Sequence, residues 1–175
     1  MSRTAIAIST ITLLSHFAAF TQTTPNFTGT WKSDNARSDS AHQAAPIGRI
    51  TLIISQTPKE ISIETKTRAK DRPLIANERL IYRLDGSETT MAGNSGIPVV
   101  CKAHWEGADL VIETARSLRG STVTTKWLLS MDASGREVTI KKTLTVQHGY
   151  QSPDGNNAGN VGTGTDIFIK TGSGR

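Results

Sequence analysis

Between residues 50 and 146 apolar and polar residues alternate in short blocks, and nearly every block ends in a turn signal. "ISIETKT" (61–67) places Ile61, Ile63 and Thr65 on one side of an extended chain and Ser62, Glu64 and Lys66 on the other. "STVTTKWLLSM" (121–131) carries Val123, Thr125, Trp127, Leu129 and Met131 on one face. "REVTIKKTLTV" (136–146) repeats the scheme through Val138, Ile140, Lys142, Leu144 and Val146. A period of two belongs to a strand with one face packed and one face wet. An amphipathic helix needs apolar residues three and four apart, and no stretch keeps that spacing over several turns.

The punctuation between blocks is turn chemistry. "TPKE" (57–60) follows the apolar run "ITLIISQ" (50–56). Asp85-Gly86 interrupts "NERLIYRLDGSETTMAG" (77–93) and reads as a tight turn between two strands. Glu106-Gly107-Ala108-Asp109 divides "IPVVCKAHWEGADLVIETARS" (97–117), "DASG" turns the chain at 132–135, and "TDIFIKT" (165–171) makes one last short strand. The pattern predicts about eight to ten strands in meander order. An open sheet that wide must hide its edges, and closure does so. The expected fold is all-β, an antiparallel up-and-down β-barrel; a two-sheet β-sandwich is the alternative.

The chain's 175 residues suit one domain that can bury a core without staples. Residues 1–22, "MSRTAIAISTITLLSHFAAFTQ", have the form of a secretory signal: Arg3, then an apolar run from Ala5 to Phe20. The run is short for a membrane span, and Ser, Thr and His16 interrupt it. The barrel domain is assigned to residues 23–171, the Gly/Asn-rich stretch 147–164 to a flexible loop within it, and 172–175 to a loose tail. Export places the protein outside the cytoplasm, secreted or periplasmic in a bacterial cell envelope, with no transmembrane span once the signal is removed. Cys101 is the single cysteine, so no internal disulfide forms. Its alternation with Val99, Ala103 and Trp105 reads as a buried apolar position rather than a reactive thiol. The formal charge of +5 is scattered among acids, and the densest basic stretch, "KTRAKDR" (66–72), reads as a solvated hairpin tip rather than a nucleic-acid patch.

The stretch "NFTGTWKSDNARS" (26–38) combines Gly29 and Trp31 on the first strand. Together with "RLDGSE" (83–88), "WEGADLVI" (105–112) and "LSMDASGREVTI" (129–140), it resembles secreted bacterial proteins with lipocalin-like, calycin-type barrels. The resemblance implies a Trp packed across the closed end of the barrel beneath a basic side chain from a late strand. Trp31 stands at the Trp position, and Lys141, Lys142 and Lys170 lie on late strands. On physical grounds alone, Gly29 permits a bend or close approach and Trp31 brings a large apolar area to plug the barrel.

No catalytic residue, metal site or cofactor follows from the sequence. His42, His104 and His148 match no zinc spacing. Glu106 and Asp109 share a turn, where acids are ordinarily solvated. "GTGTDIF" and "DGNNAGN" join no strand to a helix, so neither can cradle a phosphate. The inward-facing set includes Leu52, Ile54, Ile61, Ile63, Cys101, Ala103, Leu110, Ile112, Val123, Thr125, Trp127, Val138 and Ile140. Of the residues on inward parity, Leu52, Ile54, Ile63, Ala103, Trp105, Ile112, Thr125 and Trp127 are the candidates to line a lumen. The favoured function is non-catalytic binding of a small hydrophobic or amphiphilic molecule, with no nucleic-acid partner. An envelope interaction domain with a filled core and a barrel-mouth enzyme are the alternatives. Export predicts a mature N-terminus between about residues 19 and 24. N-terminal sequencing of the exported protein checks this, and a mature chain beginning at Met1 would exclude it.

Overall fold

The computed structural model describes residues 24–39, 47–69, 74–94, 96–149 and 160–172. Residues 1–22, His42, the central part of the Gly/Asn-rich stretch (150–159) and residues 173–175 lie outside that description. The described residues form ten strands and no helix. They are β1 (Gly29–Ser33), β2 (Ile47–Gln56), β3 (Glu60–Ala69), β4 (Leu74–Arg83), β5 (Thr89–Ala92), β6 (Pro98–Glu106), β7 (Asp109–Leu118), β8 (Ser121–Met131), β9 (Glu137–His148) and β10 (Asn160–Thr171). All belong to one antiparallel sheet in the order β4-β3-β2-β1-β10-β9-β8-β7-β6-β5. The first and last strands pair, Trp31 opposite Lys170 and Ser33 opposite Phe168, which curls the meander into a barrel.

Short turns set the registers. Arg119 and Gly120, both at positive φ (49° and 80°), connect β7 to β8, the backbone a two-residue hairpin with the right twist requires. Gly107, at φ 66°, does the same work between β6 and β7. In "DASG", an Asp132 carboxylate oxygen accepts from the amides of Arg136 and Glu137, and the other from the amide of Ser134. These bonds hold the Asp132 carboxyl down at a pKa of about 2, the Ser134 hydroxyl contributing most.

Two features differ from the sequence expectations. The last strand begins at Asn160, not 165: Asn160, Val161, Gly162, Thr163 and Gly164 pair with Val146 to Lys142 of β9, which itself runs on to His148. Glycines at 162 and 164 hid this strand, yet their amides and carbonyls can join a ladder as well as any. The second difference concerns pairing: the two strands expected around Asp85-Gly86 are present as β4 and β5, but they do not share a ladder. β4 and β5 are not a hydrogen-bonded hairpin; they are the two ends of the sheet. The connecting amides are already engaged elsewhere, Leu84 N–H by the Lys59 carbonyl and Gly86 N–H by the Ala103 carbonyl, both at 2.9 Å.

The barrel is therefore nearly closed, with a seam where β4 lies against β5 and β6. Side chains bridge it. Ile81 N–H donates to Met91 Sδ at 3.1 Å, the Thr89 hydroxyl donates to the Ile81 carbonyl at 3.4 Å, and the Asn94 amide donates to the Asn77 carbonyl. These contacts cover edges that would otherwise invite another strand.

One end of the barrel is sealed by the segment that precedes β1. Phe27 and Trp31 are fully buried, and Trp31 Nε1 donates to the Phe27 carbonyl at 2.8 Å. Gln56 fastens the segment, accepting from Phe27 N–H at 2.9 Å and donating to the Pro25 carbonyl at 3.1 Å. Phe27 stacks on Trp105, ring centroids 6.1 Å apart. Lys170 crosses above, its Nζ 5.1 Å from the Trp31 ring centroid. That crossing explains Gly29. Its φ is 148°, and a Cβ there would meet Lys170 Cε at 2.7 Å. Below the seal, Leu52, Ile54, Ile61, Ile63, Leu110, Leu129, Val138, Ile140 and Phe168 form the packed core. Trp31→Ala is expected to cost about 3–5 kcal/mol. Gly29→Val is expected to destabilise as well, by displacing the lysine stem. Urea midpoints measure both, and unchanged midpoints would remove the closed-end account.

Candidate functional site

The side of the barrel away from this seal is not filled. A cavity of about 230 Å³ lies inside it, somewhat smaller than the roughly 300 Å³ at which drug-sized ligand sites begin. Its walls are Ile63, Thr65 and Thr67 of β3, Glu78, Leu80 and Tyr82 of β4, Ile112, Thr114 and Arg116 of β7, and Thr125 and Trp127 of β8. Every one sits on its strand's inward parity, two residues from the next.

The registers order these side chains along the barrel axis. Deepest is Tyr82, opposite Ile61. Next come Ile63 opposite Leu80, and Ile112 opposite Trp127. One step outward Thr65 faces Glu78 and Thr114 faces Thr125. A further step brings Thr67 and Arg116. The lining thus runs from apolar, through hydroxyl, to charged. Arg116 and Glu78 join the two walls through a forked ion pair, Nη1 to Oε1 at 3.2 Å and Nη2 to Oε2 at 3.1 Å. Both side chains are roughly a quarter exposed, 28% and 23%.

Trp127 is the most informative wall residue. Its Nε1–H is buried and has no hydrogen-bond partner, the sole such side-chain polar atom among the described residues. Lys142, its cross-strand neighbour, holds Nζ 5.2 Å above the indole ring and forms an ion pair with Asp166, which is 2% exposed. The pair packs on one face of the indole from the neighbouring inward positions of β9 and β10.

Of the candidate lumen residues, Ile63, Ile112, Thr125 and Trp127 line the cavity together. Leu52, Ile54 and Ala103 are inward and buried in the packed core, and Trp105 stacks on Phe27 at the sealed end. Parity alone could not separate these sets, because position along the barrel axis depends on strand register. Glu78, Leu80, Tyr82, Thr65, Thr67, Thr114 and Arg116 were not among the candidates. The signal was present: Tyr82, Leu80 and Glu78 alternate, as do Ile112, Thr114 and Arg116. Charged residues on apolar parity are the ones an outward assignment overlooks.

Nothing else among the described residues gathers into a reactive constellation. No three His, Cys, Asp or Glu side chains converge on a cation position. His104 faces Glu106 at 3.1 Å on the outer wall, and His148 Nδ1 lies 3.1 Å from the Ser121 hydroxyl. Cys101 is fully buried, its Sγ 3.9 Å from the Val99 carbonyl. Burial pushes its thiol up to about 11, with Arg116 lowering and Glu78 raising it by smaller amounts. Burial likewise raises the Tyr82 phenol above its ordinary 10.0.

The chain matches no family model and no curated protein. Among solved structures it is similar to one titled "REP1-NXSQ fatty acid transporter", with 12% identity, a TM-score of 0.48, and coverage of 85% of this chain and 98% of that one. It is also similar to the fluorescent protein UnaG, with 14% identity, a TM-score of 0.45, and coverage of 83% and 97%. A third structure, titled "Structure of EF1p2_mFAP2b bound to DFHBI", has 13% identity, a TM-score of 0.40, and coverage of 83% and 94%.

Cys101 and Tyr82 give a signed pH expectation. Both groups are held neutral in the fold and ionise more readily when unfolded. Stability should fall as pH rises from about 9, the ordinary thiol value, through about 11. Urea midpoints across that window check the direction, and native protein should react slowly with a thiol reagent at neutral pH. Fast labelling, or a midpoint that rises over the window, would contradict the buried-thiol geometry.

Proposed function

We propose that the protein is an exported, non-catalytic carrier or sensor that holds a small hydrophobic or amphiphilic molecule inside its barrel. The cavity between β3, β4, β7 and β8 carries this reading. A barrel of this width can fill its interior with its own side chains or leave room for one small ligand. Here the threonines on β3, β7 and β8 stand on inward parity where larger residues would have closed the space. The gradient from Ile63 and Leu80 to Thr65 and Glu78 suits a molecule with an apolar body and a polar end. Export rests on residues 1–22, whose form is that of a cleaved leader. Residence in a bacterial envelope or the surrounding medium belongs to the same reading.

Trp127 in the wall makes the test direct. An environment-sensitive apolar dye should bind stoichiometrically and shift or quench tryptophan emission, and Trp127→Phe should remove most of that response while Trp105→Phe retains it. Near-UV circular dichroism on the same sample must show native packing, since partly unfolded cores also bind such dyes. Absence of binding at tens of micromolar would leave affinities below roughly 7 kcal/mol and would sink the carrier reading.

A further inference from the structure

The polar groups of the cavity also select the charge of its occupant, an inference that rests on the binding reading above. Among the described residues Arg116 is the single cation on the walls and Glu78 the single anion, and the pair is forked, both Glu78 oxygens meeting two of the three guanidinium nitrogens. The cavity therefore offers no unpaired charge. A carboxylate entering it must share the guanidinium with Glu78 or displace it, and either way two carboxylates meet one cation in a partly buried space. An ammonium must displace Arg116 from Glu78, with the opposite sign and the same difficulty. Separating a partly buried pair exposes the abandoned partner's full desolvation cost. An uncharged ligand meets neither penalty. The pair thus acts as a repulsive element against ions of both signs, the usual way a site gains discrimination beyond its attractive contacts.

A second observation says what the uncharged ligand carries. Trp127 Nε1–H is a buried donor with no acceptor, in the wall of the same cavity. Indole nitrogen only donates, so its partner must be an acceptor. Buried donors are nearly always paired, and one left over beside a cavity marks where a ligand or a water completes the bond. Thr114 and Thr125, opposite one another and two residues from Arg116 and Trp127 respectively, add hydroxyls that can donate or accept.

We infer that the cavity binds a compact, uncharged amphiphile bearing a carbonyl-type acceptor, and that the Glu78–Arg116 pair excludes free carboxylates and amines of the same chain length. The test is a matched ten-carbon series on the full-length mature chain at pH 7.5, by calorimetry: 2-decanone, decanoate and decylamine. The ketone should bind at least tenfold tighter than either ion. Glu78→Gln, which releases the guanidinium, should collapse the preference for ketone over decanoate by at least tenfold. Trp127→Phe should weaken the ketone by about tenfold at an unchanged fold, judged by circular dichroism. Decanoate or decylamine binding as tightly as the ketone to the wild-type protein would overturn the inference while leaving the carrier reading intact. Ketone binding indifferent to Trp127→Phe would overturn the acceptor assignment. Failure of all three probes and of the apolar dye would overturn both readings. The wild-type series decides the charge question even if Glu78→Gln does not fold.

Discussion

The pairing of β1 with β10 is the contact on which the rest of the barrel depends. Without it the chain is two meanders, β1 to β4 and β5 to β10, with no shared interior. The pairing is antiparallel and short, Thr30 to Ser33 against Thr171 to Phe168. It also sets the sealed end, because it places Trp31 directly opposite Lys170 and so brings the lysine over the indole. Gly29 follows as a consequence: the lysine stem occupies the space a side chain would need. These contacts join opposite ends of the chain, so they form only after a large loop has closed, and barrels of this kind fold slowly for that reason.

Closing the sheet at β1–β10 moves the discontinuity to β4–β5. In a simple up-and-down barrel these neighbours would share a ladder. Here Met91, Thr89 and Asn94 span the gap with side-chain bonds, weaker and fewer than backbone pairs. The Glu78–Arg116 fork reaches from β4 to β7 inside the same gap. One ion pair therefore has two structural consequences. It ties the seam together from within, and it neutralises the charges that line the cavity among the described residues.

The barrel also contains a second internal pair, Lys142 with Asp166, between β9 and β10. Burying two charges is costly, and apolar residues would pack the wall more cheaply. What the pair does here is geometric: Lys142 lies against Trp127 and Phe168 and holds the indole in the cavity wall. Both pairs are internal: Glu78–Arg116 lines the cavity, and Lys142–Asp166 lies beside Trp127 on the adjoining strands. A polar frame around an aromatic residue keeps its orientation in a way that dispersion contacts alone do not.

Much of this architecture was legible from residue order. Alternation through "ISIETKT", "STVTTKWLLSM" and "REVTIKKTLTV" determined strand type and faces, since side-chain direction along a strand has a period of two whatever the neighbours are. Turn residues such as Gly107 and Asp132 determined where strands end, because they act within a few bonds of themselves. The glycines of β10 concealed its first five residues, since strand propensity reads side chains while the ladder uses only the backbone. Tertiary structure alone decided which inward residues touch packing and which touch space. Leu52 and Ile63 share a parity, yet one is core and the other also lines the cavity, because their depth is set by register against distant strands. It decided too that β4 and β5 would part, and that Glu78 and Arg116 would find each other across the opening. A long-range pairing depends on closure of the whole sheet, and no local pattern encodes that.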